Sequence, residues 1–340
     1  MYWKLPSTQK WGIVFEHLFL SINNKNQMKA IILKDFGGTE NLIISDISMP
    51  AIMADEVLVQ LKSVSINPVD VKTRSGKGVA GSIKNEMPAI LGWDVSGIIK
   101  EVGNAVIDVK IGEEVFAMIA FPKLGKAYAE YVAAPASQLA LKPSNINHDE
   151  AAAATLAALT AWQALTIHGT IKAGDRVLIH AASGGVGHFA AQMAKHLGAY
   201  VIATSSLANK DFLLSLGVDE HIDYKAQRFE NVAKDIDFVL DTIGGEYIDR
   251  SLPVIKRGGT IICIPSGMNE TVAEKAKALG VDGKTMRVQP NGNDMQTIAG
   301  LLEKGIIKSH VSQTFPFDQM AEAHLKIESG RTVGKITVAI

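Results

Sequence analysis

The sequence predicts an α/β protein in two parts: a β-rich unit, and a doubly wound parallel sheet whose strands alternate with helices. Three observations carry this. The chain has 340 residues, beyond the size at which a single hydrophobic core stops growing. The hydrophobic pattern changes character near residue 150. A glycine-rich loop sits between a β-type run and a helical one in the second part. From Met28 to about His148 the apolar runs are short and β-like, split by Gly, Pro, Asn and Asp: Ala30–Leu33, Leu42–Ile44, Val57–Ser65, Val95–Val102 and Val115–Ile119. From about Ala151 to Val288, short branched strands alternate with longer helical stretches, the βαβ signature of a parallel sheet. Those strands are expected at Arg176–His180, Tyr200–Thr204, Glu220–Tyr224, Asp237–Asp241, Thr260–Pro265 and Thr285–Val288. A helix over roughly Asp294–Lys304 and β-like segments at His310–Phe315 and Lys335–Ala339 follow. They are expected to return to the first unit. The expected division is therefore 1–27 as an extension, 28–150 with 291–340 as one domain, and 151–290 as the other.

Composition narrows the function classes. Hydrophobic residues make up 47% and charged residues 20%, which suits a globular protein and excludes broad disorder. A formal net charge of −1 gives no reason to expect nucleic acid or an anionic membrane as partner. Cys263 is the single cysteine. It excludes an internal disulfide and a cysteine-built zinc site, and a reducing cytoplasm is the expected location. The stretch before Met28 holds an apolar patch, Trp11–Phe15 and Leu18–Leu20, interrupted by Glu16 and His17. It is too short to span a bilayer. Lys4 and Lys10 faintly suggest a signal peptide, but no small-residue cleavage pattern follows. The reading is an upstream extension outside the domains.

The strongest motif is His180-Ala-Ala-Ser-Gly-Gly-Val-Gly187. It follows the expected strand and opens a helix over Val186–Leu197. On that helix Val186, Phe189, Ala190, Met193, Ala194 and Leu197 share a face. Ala182, Gly184 and Gly187 stand at the three glycine positions of G-x-G-x-x-G, with Gly185 and Val186 between them. Such a loop brings backbone N–H groups and a helix N-terminus against a pyrophosphate. Its meaning depends on context, and strand before and helix after supply it. The next strand ends Thr204-Ser205-Ser206, with no carboxylate to hold a ribose 2′-hydroxyl, and Lys210 follows. Small hydroxyls with a nearby cation suit a 2′-phosphate. The expected cofactor is NADPH; an ordinary exposed charge is the other reading of Lys210.

Five motifs then occur in order: Asn67-Pro-Val-Asp70, Gly92-Trp-Asp-Val-Ser-Gly97, the loop just described, Asp241-Thr-Ile-Gly-Gly245 and Gly330-Arg-Thr-Val-Gly-Lys335. Together they resemble the zinc-free branch of the medium-chain dehydrogenase/reductases, which holds quinone oxidoreductase and zeta-crystallin. The resemblance covers Met28 to Ile340. It implies a GroES-like catalytic domain and a Rossmann cofactor domain, with the active site in the cleft between them and a homodimer as the assembly. The zinc enzymes of the family carry a cysteine ligand where this chain has Asn67 and a histidine ligand where it has Trp93. Neither residue can serve as that ligand, so no metal is expected. By position the resemblance places Asn67 and Thr160 near the nicotinamide, and Lys210 and Tyr224 around the 2′-phosphate. Ile243, Pro265 and Ser266 would be strand ends flanking the nicotinamide, and Arg331 a basic residue near the cofactor. Plain alternatives stand beside these: a turn residue for Asn67, a packing aromatic for Tyr224, a solvated charge for Arg331. Asp94 reads as a structural acceptor and Trp93 as packing.

Hydride transfer asks the protein to hold the cofactor against an electron-poor carbon in a dry cleft. Without a Lewis acid, quinones and α,β-unsaturated carbonyls are better acceptors than simple alcohols or aldehydes. Asn67 could donate a hydrogen bond to the developing anion, with Asp70 as a polar neighbour. No His, Tyr or Lys stands out as proton donor, so solvent is expected to supply the proton. Two other readings stay open: reduction of a larger enoyl thioester or lipid-derived alkene, and NADPH binding in a structural role. The strand Thr260–Ile264 is one apolar candidate for a dimer edge, or equally an interior strand.

Overall fold

The computed structural model describes residues 27–265 and 267–340; the expected extension, up to its last residue, and Ser266 lie outside the described residues. Three sheets form. The largest has seven strands: β3 (Glu56–Ile66), β5 (Asp94–Val102), β6 (Glu114–Met118), β7 (Tyr131–Pro135), β8 (Ala140–Leu141), β15 (Val311–Pro316) and β16 (Lys335–Ala339), in the order β15-β16-β3-β5-β6-β8, with β7 also on β3. The tail strands therefore do pair with the first part of the chain. β16 runs antiparallel to β3 with Ile336 opposite Ile66, which sets residue 335 beside residues 66 and 67. A small sheet of β1 (Gln27–Leu33), β2 (Leu42–Ser48) and β4 (Ala89–Ile90) covers one side.

The third sheet has β9 (Arg176–Ile179), β10 (Tyr200–Ser205), β11 (Glu220–Asp223), β12 (Ile236–Asp241), β13 (Ile255–Cys263) and β14 (Asp282–Thr285), in the order β11-β10-β9-β12-β13-β14. Every pairing is parallel. The order steps outward from β9 in both directions, leaving a crevice at the carboxyl ends of β9 and β12, where such sheets bind ligands. The sixth strand lies three residues earlier than the pattern Thr285–Val288 suggested. Met286 and Val288 are buried, but in the loop beyond the strand; their apolar alternation marks a cleft wall and not a ladder. β13 lies between β12 and β14, so Thr260–Ile264 is interior, and β14 and β11 are the two edges.

Six helices matter below: α1 (Pro68–Arg74), α2 (Leu156–Gln163), α3 (Gly185–His196), α4 (Lys210–Ser215), α5 (Gly292–Glu303) and α6 (Met320–Glu328). Phe189, Ala190, Met193 and Ala194 of α3 are fully buried against the parallel sheet, the face read from helical spacing. One apolar cluster joins Trp93, Phe116 and Phe121 of the β-rich unit to Leu156, Ile179, Phe189 and Met295. Two further clusters fill the β-rich unit and the opposite face of the parallel sheet.

Candidate functional site

A cavity of about 550 Å³ opens between the two units. Asn67, Val69, Lys72, Phe121, Thr332 and Lys335 line it from one side, and Thr160, Gly184, Gly185, Val186, Gly187, Thr242, Pro265, Met286 and Arg287 from the other.

The glycine loop forms one wall. Gly184 is the N-cap of α3 and no side chain caps that end, so the first-turn amides are left for a ligand. A Cβ on Gly187 would sit 2.6 Å from the Ala181 carbonyl oxygen and from Ala182 Cα, closer than real atoms approach. Only glycine allows the helix to start this close to the loop. Ala182 is fully buried behind the loop, where its N–H donates to the Thr204 carbonyl (3.0 Å). Its small side chain is needed there, but it does not line the cavity. His188 donates from Nδ1 to the Gly184 carbonyl (3.0 Å) and accepts the His310 N–H at Nε2 (3.3 Å). Burial lowers its pKa to about 4, so the ring is neutral. Across the cleft, Gly334 N–H donates to the Ser183 carbonyl (2.8 Å). Thr332 Oγ1 is buried without a hydrogen-bond partner among the described residues and belongs to a residue of the cavity wall.

Asn67 stands opposite the loop, held on every side. It is the N-cap of α1, and Asp70 at N3 returns the capping box by accepting the Asn67 N–H (2.8 Å). Asn67 Nδ2 donates to Asp94 Oδ2 (2.7 Å). Asn67 Oδ1 accepts from Lys335 Nζ, which also donates to the Ile66 carbonyl (3.1 Å) and lies 3.7 Å from Asp94 Oδ2. The second Asp94 oxygen accepts the Leu156 N–H at the start of α2 (3.0 Å). Burial pushes Asp94 up and Lys335 down, each toward its neutral form, and their mutual attraction opposes both shifts. The network fixes the Asn67 amide and leaves its second N–H without a partner among the described residues, on a residue that lines the cavity.

Asp70 itself does not reach the cleft. It is fully buried, and its second oxygen accepts from Tyr128 OH (2.8 Å), which His324 Nε2 approaches to 3.1 Å. Burial, with the Asp94 charge nearby, raises its pKa to about 7. Thr160 lines the cavity from α2, with its hydroxyl donating to the Leu156 carbonyl (2.7 Å).

At the far end of the parallel sheet, Thr204 and Ser205 close β10 with Ser206 just beyond it, and the Tyr224 N–H donates to the Ser205 carbonyl (3.2 Å). Thr204 is turned inward: its Oγ1 accepts the Ala181 N–H (3.3 Å) and meets His180 Nδ1 (3.2 Å). Lys210 is exposed, and Tyr224 is 47% exposed. Ile243 is not among the cavity-lining residues; its neighbour Thr242 is. Pro265 lines the cavity, and Ser266 lies outside the described residues. Arg331 is exposed in a separate shallow groove with Phe315, Leu325 and Lys326, although Gly330 and Thr332 on either side of it line the cleft.

Sequence reasoning missed Lys72, Arg287, Thr332 and Lys335. Lys72 carried a signal, since it lies five residues after Asn67 on the same short helix. Lys335 ended a quoted motif, but its burial depends on the β16–β3 pairing. Trp93 is fully buried, donates from Nε1 to the Lys123 carbonyl (2.6 Å) and packs edge-on against Phe121.

The sequence matches the family described as "Alcohol dehydrogenase GroES-like domain" over residues 53–144 and that described as "Zinc-binding dehydrogenase" over residues 216–338. It is 34% identical to the NADPH-dependent alkenal/one oxidoreductase, chloroplastic, of Arabidopsis thaliana over 322 residues, covering 92% of this chain and 79% of that one. Among solved structures, the quinone oxidoreductase from Coxiella burnetii superposes with a TM-score of 0.88 at 34% identity, over 92% of this chain and 99% of that one. The Escherichia coli quinone oxidoreductase complexed with NADPH gives a TM-score of 0.79 at 27% identity, over 92% of this chain and all (100%) of that one.

Proposed function

The chain belongs to the zinc-free quinone oxidoreductase branch of the medium-chain dehydrogenase/reductases, and from that premise we propose that this cleft binds NADPH and delivers its hydride to a quinone or an α,β-unsaturated carbonyl. The protein is an NADPH-dependent oxidoreductase. One observation carries the site assignment: the uncapped start of α3 faces, across a single cavity, the fixed Asn67 amide and the Lys72 ammonium.

The residues present fit the cofactor. Free first-turn amides at Gly185–Gly187, a loop with no room for a Cβ at Gly187, and the unpartnered Thr332 hydroxyl suit a pyrophosphate and its ribose. Thr160, Thr242 and Pro265 would flank the nicotinamide. Ser205, Ser206, Lys210 and Tyr224 would surround the 2′-phosphate, with Arg331 serving at most as a remote charge. The nicotinamide, when bound, supplies the hydride. The chain's own groups handle the charge that follows. As an enone or quinone is reduced, negative charge grows on its oxygen. Lys72, half-buried on the wall, can place an ammonium there, and the second Asn67 N–H can donate to the same oxygen. Phe121 beside it, and Met286 and Val288 across the cavity, keep the surroundings apolar. Asp70 acts through Asn67, by closing the capping box that orients it. The final proton comes from solvent at the cavity mouth.

Among the described residues no helix is long and apolar enough to cross a membrane. A homodimer and a cytoplasmic location belong to the same proposal, with β14, the edge strand beside β13, offered for pairing. Fluorescence titration with NADPH and NADH tests it first. NADPH binding at least about tenfold tighter, roughly 1.4 kcal/mol, supports the 2′-phosphate site; equal or tighter NADH binding removes it. Turnover of small quinones and short enones, set against acyl thioesters, then identifies the acceptor class.

A further inference from the structure

Beside Ser205, at the carboxyl end of β10 and beyond the residues that line the cavity, stands a titratable group that the reading above leaves without a task. His221 lies on the edge strand β11, with Nε2 2.9 Å from Ser205 Oγ. In the parallel register Ala203 faces His221 and Ser205 faces Asp223. Side chains alternate along a strand, so His221, Ser205 and Asp223 stand on one side of the sheet. Lys210 opens α4, the helix after β10, and its charge acts on the His221 ring. The Ser205 hydroxyl donates its only proton to the Ser206 carbonyl (2.9 Å). The contact with His221 therefore needs the ring proton on Nε2, and Nδ1 is left as the basic nitrogen.

We propose that His221, seated by Ser205, is a specificity-determining residue for the ribose 2′-phosphate, joining Lys210 in one anion-binding corner and taking up a proton when NADPH binds. The inference rests on the NADPH reading above. In the free protein, partial burial and the Lys210 charge lower the imidazole pKa, against the opposing pull of Asp223 and the Ser206 backbone, so the ring is neutral at neutral pH. A phosphate dianion beside it favours the imidazolium. Between the free and bound pKa values, binding takes up a proton, and this contribution to NADPH affinity grows as pH falls. It opposes the loss that comes from protonation of the phosphate itself, whose second pKa is about 6. NADH carries no 2′-phosphate and feels neither effect.

The test uses the full chain. Dissociation constants for NADPH and NADH are measured for the wild type, His221→Val and His221→Lys, at about pH 6 and about pH 8.5, either side of the imidazole range. His221→Val is expected to weaken NADPH about tenfold at the lower pH, the worth of one charge-assisted hydrogen bond, and about twofold or less at the higher. NADH affinity stays unchanged. His221→Lys, charged at both pH values, is expected to keep NADPH affinity at both. Calorimetry in buffers of different ionisation enthalpy should show proton uptake on NADPH binding that His221→Val loses. If the wild type favours NADPH and His221→Val keeps the same preference at both pH values, the assignment of His221 falls while the NADPH reading stands. A wild type without preference for NADPH overturns both.

Discussion

Replacing Lys335 by Met tests whether the buried network holds Asn67 in place. Lys335 is 3% exposed and Asp94 is fully buried. In Lys335→Met the chain volume is nearly kept, but the Asn67 Oδ1, the Ile66 carbonyl and the Asp94 carboxylate all lose their ammonium. Removing one partner of a buried pair leaves an uncompensated charge and costs about 3–5 kcal/mol. Asp94 retains bonds from Asn67 Nδ2 and Leu156 N, which places the expectation near the lower figure. Its pKa is already raised by burial, so it can escape the penalty by taking a proton, and the loss should shrink as pH falls. Urea unfolding read at an unchanged m-value measures this. The double variant with Asp94→Asn should recover part of the loss, a coupling that a double-mutant cycle isolates. The freed Asn67 amide should lower kcat by about ten- to a hundredfold, the scale of a misplaced catalytic group. A Lys335→Met protein within about 0.5 kcal/mol of wild type, the range of ordinary surface changes, would refute the reasoning.

Other expectations follow from the same geometry. Gly187→Ala sets a Cβ 2.6 Å from backbone atoms of Ala181 and Ala182 that cannot give way; NADPH affinity in a fluorescence titration should fall more than about tenfold, or about 1.4 kcal/mol. Lys72→Met should lower kcat/KM for an enone by about ten- to a thousandfold, the range for one lost charge-stabilising donor, while the NADPH dissociation constant stays put. The Arg250 guanidinium holds the Glu230 pKa down at about 2, from 4.5. A depressed carboxyl stabilises the fold fully above its ordinary pKa and loses that contribution as pH falls from about 4.5 to about 2. Glu230→Gln should therefore flatten the acid limb of a Tm-against-pH profile.

The parallel sheet was legible because each of its strands is a short branched run between helical stretches, and because the glycine loop stands where the first strand meets its helix. Asn67 was legible through the residues around it: Pro68 at the first helical turn and Asp70 three residues on. That same spacing explains why Asp70 misled, since a capping box and a polar active-site neighbour look alike in one dimension. Lys335 was opaque for a different reason. In the sequence it is one more lysine beside a β-type run, and only the alignment of β16 on β3 buries it next to Asn67. Arg331 shows the reverse: its neighbours face the cleft, and the chain turns its side chain away. Met286 and Val288 carry an alternation that a ladder and a loop packed inward share.

The apolar cluster shared by the two units has a mechanical consequence. A jaw that opens on a hinge needs an interface that parts cheaply. Here, swinging the units apart would bring Trp93, Phe116 and Phe121 out from against Leu156, Ile179 and Phe189, and each large apolar side chain exposed costs about 1.5–3 kcal/mol. The two halves should therefore behave as one stiff body. Traffic through the cleft then falls to the segments at its rim, such as the loop carrying Met286 and Arg287, and the rate at which used cofactor leaves would be set by rim motion, with the span between the sheets held constant.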